Sequence, residues 1–217
     1  SGLYFDNGNK ENVGLFGGGY GTVAISNLNI VDSYFKGRNK VGGLVGYSSG
    51  SLTIENSYNA GTVSGSGDKV GGLVGYNIGG SLTIENSYNE GTVNGFNDVG
   101  GLVGRNGDSG TLTIENSYNA GTVSGSGNSI GGLVGNNIGK GAKLTITNSY
   151  NAGTVSGSGN NVGGLVGRGD YGTLTITNSF FLATDKSGDA LGGKAKTLDD
   201  FHNDIVAKEL HDWCEKD

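Results

Sequence analysis

Hydrophobic positions fall in three short blocks that return along the chain at nearly constant intervals. The first is a glycine-rich hexapeptide, Val41-Gly42-Gly43-Leu44-Val45-Gly46, which recurs from Val70, Val99, Ile130 and Val162, at spacings of 29, 29, 31 and 32 residues. The second, Leu52-Thr53-Ile54-Glu55 followed by Asn56-Ser57-Tyr58-Asn59, recurs from Leu82, Leu112, Leu144 and Leu174 and drifts to Ser179-Phe180 in its last copy. The third, Gly61-Thr62-Val63-Ser64-Gly65, recurs from Gly91, Gly121 and Gly153. Before Val41 the pattern is degenerate, with Val13-Gly14-Leu15-Phe16-Gly17 matching the hexapeptide and Asp32-Ser33-Tyr34 matching the Asn-Ser-Tyr step.

Within Leu52 to Glu55 apolar and polar residues alternate with period two, which sets Leu52 and Ile54 on one face of a strand and Thr53 and Glu55 on the other. Glycine, serine and asparagine between the blocks supply turns. One such repeat cannot bury its own apolar face, whereas stacked copies can. The expected fold is therefore all-β: a parallel β-solenoid of about six coils, with three short strands in each coil of about 30 residues. Coils stacked about 4.8 Å apart would align equivalent residues in ladders. Leu44, Leu73, Leu102, Leu133 and Leu165 would form one inner ladder, Ile54, Ile84, Ile114, Ile146 and Ile176 a second, and Val63, Val93, Val123 and Val155 a third. Asn56, Asn86, Asn116, Asn148 and Asn178 fall at the turn after the second block, where stacked amides would bond from coil to coil.

Composition narrows the alternatives. The 217 residues include 46 Gly and no Pro, and only 16% are charged. That much glycine opposes a close-packed helical or α/β domain, and the absence of a Gly-X-Y period with Pro excludes collagen. Regularly placed Leu, Ile, Val and Tyr argue against disorder. Net charge is −6, divided as 9 basic and 11 acidic residues over 1–180 and 5 basic and 9 acidic over 181–217. Neither part supplies the basic stripe that a nucleic acid or an anionic membrane requires, so neither is an expected partner. Cys214 stands alone, and no apolar run approaches the length of a membrane span. Patterned sequence already at residue 1, with no sign of a leader, reads as a monomeric fragment of a longer chain with no membrane-inserting part.

Catalytic and metal chemistry find little footing. Near-identical copies are poor material for an active site, which needs unlike groups converging on a point. The two histidines, His202 and His211, lie in the non-repetitive tail with Cys214, and these three do not make a zinc site. The glycine-rich hexapeptides lack the lysine of a phosphate loop. No cofactor, metal or catalytic residue is expected.

Binding has more candidates. Tyr58, Tyr88, Tyr118, Tyr150 and Phe180, with Tyr34 before them, form an aromatic ladder. It is a core column if buried, or a platform for sugars or a protein if exposed; the turn at Asn56 leaves both open. Thr53, Thr83, Thr113, Thr145 and Thr175 would form a hydroxyl row of the kind seen on ice-binding solenoids, although its Thr-X-Thr companion exists only as Thr147 and Thr177. Glu55, Glu85 and Glu115 occupy that place earlier; such stacked carboxylates repel, so they either splay into solvent, the favoured reading, or hold a calcium ion or a basic partner surface between them, although they lack the carbonyl or Asp companions of a calcium cage. Copies differ most in two sets of loops, where recognition can reside on a uniform scaffold. Arg105, Asp108, Arg168, Asp170 and Tyr171 are the richest residues there. From Thr197, a capping box with Asp200 and the stripe Leu198, Phe201, Ile205, Leu210 predict a helix that would cap the last coil. The expected division is thus a solenoid over 1–183 and a linker with a helical cap over 184–217.

The recurring Gly-Gly-Leu-Val-Gly, Ile-(Glu/Thr)-Asn-Ser-Tyr-Asn and Gly-Thr-Val-Ser-Gly over residues 13–180 resemble the GLUG-motif repeat of bacterial surface and secreted proteins, including adhesins and the non-catalytic regions of immunoglobulin A peptidases. The resemblance implies a place outside the bacterial cell, as a stalk or binding surface, with host glycan or extracellular protein as partner. It carries no catalytic residues. The alternatives are an accessory domain of a secreted peptidase or polysaccharide-processing enzyme, and an ice-binding solenoid.

Overall fold

The alternation in Leu82-Thr83-Ile84-Glu85 survives as a strand, Ser81–Glu85, whose Leu82 and Ile84 are buried while Thr83 and Glu85 are half-buried. Its equivalents above and below pair with it in parallel, leucine beside leucine and isoleucine beside isoleucine. The computed structural model describes residues 2–183, 193–197 and 206. Over this span five parallel sheets of six, five, six, six and seven strands run along one axis, each taking strands from successive coils. The chain is a parallel β-solenoid of about six coils. No helix among the described residues is long and apolar enough to cross a membrane.

All three expected segments are present in each regular coil, but two of them break at a corner, so a coil holds five short strands rather than three. In one coil these are Val70–Gly71, Val74–Ile78, Ser81–Glu85, Tyr88–Asn89 and Val93–Gly95. The hexapeptide bends at Gly72-Leu73, and the second block bends at Asn86-Ser87. Asn86 takes a left-handed conformation (φ 47°), as do Asn56, Asn116, Asn148 and Asn178. Asparagine adopts that region more readily than most residues, which accounts for its place at every such corner.

The serine that follows repairs what the corner breaks. Ser87 Oγ donates to the carbonyl of Glu85 at 2.7 Å and accepts the Ser57 N–H of the preceding coil at 3.1 Å. Ser117, Ser149 and Ser179 accept in the same way from the coil before each. The expected amide ladder at Asn56 is not continuous among the described residues: Asn178 donates to Asn148 at 2.8 Å, whereas Asn56, Asn86 and Asn116 are exposed at their corners, where water competes for the amides. The ladder lies three residues later and faces inward. Asn59 donates to Asn89, Asn89 to Asn119 and Asn119 to Asn151, each at 2.8 Å and buried. Ile30 and Phe181 occupy the next positions of this column at its two ends. A second buried file runs from Asn77 to Asn106 at 2.8 Å and on to Asn137 at 2.7 Å.

Aliphatic side chains fill the rest of the interior, including Val70, Leu73, Val74, Leu82, Ile84 and Val93 of one coil, all with no exposed surface. The second glycine of the hexapeptide exists for the amide ladder: a Cβ on Gly72 would lie 2.6 Å from the Asn89 amide and 2.1 Å from the Gly101 carbonyl of the next coil.

In the degenerate first coil Tyr34 does not join the Tyr58 column. Asn29 pairs beside Tyr58, while Tyr34 pairs beside Thr62 in another sheet and stacks on Tyr4 at 5.2 Å. At the other end, strand Lys194–Lys196 pairs in parallel with Phe180–Leu182. The predicted capping helix lies outside the described residues, apart from Val206, which is helical and buried.

Candidate functional site

Tyr58, Tyr88, Tyr118 and Tyr150 follow the inward Ser57 position and therefore point outward, half-buried. Their rings lie 4.6, 4.6 and 4.9 Å apart with interplanar angles of 5°, 5° and 1°. Stacked this way, the rings satisfy one another's faces. The column presents edges and hydroxyls to solvent, so it lacks the open ring faces of a sugar platform. Burial pushes the Tyr118 and Tyr150 hydroxyls above the ordinary phenol range, and at Tyr118 the neighbouring Tyr150 and Glu90 add to the effect. Phe180 pairs next to Tyr150, with Lys196 Nζ 5.2 Å from its ring centre.

A different row lies on the neighbouring sheet. The residue just after each hexapeptide lies outside the core, and in register these are Tyr47, Tyr76, Arg105, Asn136 and Arg168; Tyr47, Arg105 and Arg168 are half-buried, whereas Tyr76 and Asn136 are covered by their neighbours and only 6% and 4% exposed. The residue just before each hexapeptide is Lys40, Lys69, Asp98, Ser129 or Asn161, and all five have positive φ. Because the hexapeptide turns a corner, its two flanks meet. Lys40 Nζ sits 5.4 Å from the Tyr47 ring centre, Lys69 Nζ 5.4 Å from that of Tyr76, and the Arg105 guanidinium 5.6 Å from that of Tyr76. Tyr20, 67% exposed, lies 5.8 Å from Tyr47, and Tyr47 lies 6.0 Å from Tyr76, with interplanar angles of 52° and 61°.

The fourth coil adds an acid. Asp98, only 6% exposed, accepts from Asn136 Nδ2 at 2.8 Å and lies 3.4 Å from Arg105 Nη1. Burial raises its pKa, against the opposing influence of the Asn136 bond and of Arg105. Arg105 Nε and Asn136 Oδ1 are both buried without a hydrogen-bond partner among the described residues. Lys40 pairs with Glu11 at 3.0 Å, whereas Lys69 forms no ion pair among the described residues.

The loop candidates separate. Arg105 belongs to the strand Val103–Gly107 and engages Asp98, while Asp108 is exposed in the following turn with φ 56°. Arg168 Nε donates to Asp170 at 2.7 Å, and Tyr171 stands 81% exposed with φ 63°. The threonine row is continuous, Thr53 through Thr175, with Glu55, Glu85 and Glu115 beside it in register. A shallow trough of about 450 Å³ on another sheet is floored by Gly95, Ser124, Gly125, Ser126, Ser156, Gly157 and Ser158. Sequence reasoning found Arg105 and Arg168 but passed over Tyr47, Tyr76, Lys40, Lys69, Asp98 and Asn136 as site residues. The signal was available: these are the two positions that flank an otherwise constant hexapeptide and change from copy to copy.

No curated protein sequence matches the chain. Among solved structures it is similar to one described as a "putative immunoglobulin A1 protease from Bacteroides ovatus", with a TM-score of 0.69 and 24% identity, covering 95% of this chain and 69% of that one. At that identity the likeness is one of fold. The family model for the GLUG motif matches residues 69–94. That stretch runs from Lys69, before one hexapeptide, to Asn94 in the third block, and the same pattern recurs in the coils on either side. The GLUG motif thus corresponds to one coil of the solenoid, and the chain is similar to GLUG-motif repeat proteins in the coil that the model matches and in the copies stacked on either side of it.

Proposed function

We propose that this chain is a non-catalytic binding and spacer module of a bacterial surface or secreted protein, which holds a host glycan or extracellular protein against its outward rows and coil-edge loops. The observation that carries the reading is the row Tyr47, Tyr76, Arg105, Asn136 and Arg168. Its chemistry changes from coil to coil, with Tyr47, Arg105 and Arg168 partly open to solvent and Tyr76 and Asn136 buried between them, whereas the adjacent inner positions keep valine throughout. A rigid scaffold fixes the spacing of such groups, so weak contacts add along the axis. The GLUG motif and the fold likeness to the Bacteroides ovatus protein support an extracellular setting.

The likeness to that protein also favours a second reading, an accessory domain that presents substrate to a peptidase elsewhere in a longer chain. Incubation of the full chain with a panel of host glycans and matrix proteins, with product analysis, tests the first reading. Saturable binding without turnover is the expected result, and turnover of any panel member overturns it.

A further inference from the structure

We propose that the interior of the second coil is a binding site for one ordered water molecule, held by Ser48 Oγ, Asn77 Oδ1 and the Gly50 carbonyl, where it takes the place of an asparagine amide. The site lies inside the solenoid and is independent of what the outer rows bind.

Asn77, Asn106 and Asn137 share one inward column, and Gly19 and Ser48 are its earlier members in register. Within this column an amide nitrogen serves two acceptors. Asn77 Nδ2 donates to Asn106 Oδ1 at 2.8 Å and to the Gly80 carbonyl at 3.2 Å. Asn106 Nδ2 donates to Asn137 Oδ1 at 2.7 Å and to the Gly110 carbonyl at 2.9 Å. Gly80 and Gly110 each stand immediately before a strand, Ser81–Glu85 and Thr111–Glu115, and Gly50 has the same place before Ser51–Glu55. One coil lower, the pattern therefore calls for a donor that serves Asn77 Oδ1 and the Gly50 carbonyl together.

Serine is too short to be that donor. Ser48 and Asn77 have no exposed surface, and both Ser48 Oγ and Asn77 Oδ1 lack a hydrogen-bond partner among the described residues. Buried oxygens of this kind are costly to leave unpaired, and ordered water is their usual partner where protein groups do not reach. Space is at hand, because serine is smaller than asparagine by about the volume of one water molecule. Gly19 crowds the column no further: a Cβ built on it would meet nothing closer than Ser48 Oγ, at 3.8 Å.

A water molecule satisfies all three groups. It accepts the Ser48 O–H and donates one hydrogen to Asn77 Oδ1 and the other to the Gly50 carbonyl, the same two kinds of acceptor that Nδ2 serves in the coils above. Three partners are typical of a buried water. The three oxygens carry no formal charge and fall short of a calcium shell, so the chemistry selects water over a metal ion.

A high-resolution crystal structure of the full chain tests the site directly. A solvent peak within hydrogen-bond reach of Ser48 Oγ, Asn77 Oδ1 and the Gly50 carbonyl is expected; a direct Ser48–Asn77 hydrogen bond, or no solvent between these groups, would overturn the assignment. In solution, oxygen-17 magnetic relaxation dispersion should lose the contribution of one long-lived water on Ser48→Asn, whose amide takes over both donations. The same variant should raise the denaturant midpoint, since a tethered donor replaces an immobilised water. Unchanged dispersion in the folded variant, or a midpoint below the parent's, would count against the site. Should Ser48→Asn fail to fold, the crystal structure of the parent decides alone.

Discussion

At the corner of each coil, four consecutive side chains divide four tasks: Asn86 turns the backbone, Ser87 bridges the broken hydrogen bonds, Tyr88 stacks outside and Asn89 bonds inside. The sequence shows that these residues recur, but not which way they face. Glu85 and Asn86 both point outward across the left-handed residue, so the strand's parity does not carry past it. That is why Tyr88 and the ladder at Asn89 were not legible from alternation. Asp98 is the other residue whose role emerges only in three dimensions, since Arg105 lies seven positions on. Its pKa in the folded chain is raised above the unfolded value near 3.8. The native state therefore holds a proton that the unfolded state has released, and stability gained from it grows as pH falls through that window. Asp98→Asn should accordingly be more stable than the parent at pH 7, with the difference shrinking toward pH 4; thermal unfolding of both across that range checks it.

At the scale of the element, the strands are short because corners are frequent, and corners are frequent because glycine and asparagine recur inside the blocks. Three blocks were legible, while their division into five strands was not, since Gly72-Leu73 reads as part of one apolar run. The buried amides explain why that run keeps glycine. Asn89→Leu would leave Asn119 Oδ1 without its donor and free the Gly91 carbonyl, for a cost of about 2–4 kcal/mol. Gly72→Ala would press on the Asn89 amide and the Gly101 carbonyl, costing about 1–3 kcal/mol. Denaturant unfolding of the two variants should place both well below the parent, while Thr83→Ser, on the outer face, should stay within about 0.5 kcal/mol of it.

For the whole molecule, register is the organising fact, and it was legible because spacings of about thirty residues leave stacking as the way to cover the apolar faces. Each coil touches its neighbours alone, so stability should scale with coil number. Deleting residues 82–111 joins Ser81 to Leu112, which already pair with the same columns, and brings Asn77 level with Asn137. The shortened chain should keep its β circular dichroism and unfold at lower denaturant; loss of all structure would contradict independent stacking of coils.

The inward file that begins at Asn59 also carries a direction. Every amide hands its proton the same way, toward the higher-numbered coil, and the file stops where Ile30 and Phe181 take the column. Those two hydrocarbon residues act as punctuation: neither can give or take a proton, so the run of amides has a fixed length written into the chain. Were Phe181 an asparagine, the file would have a reason to continue upward; as phenylalanine, it closes the sentence.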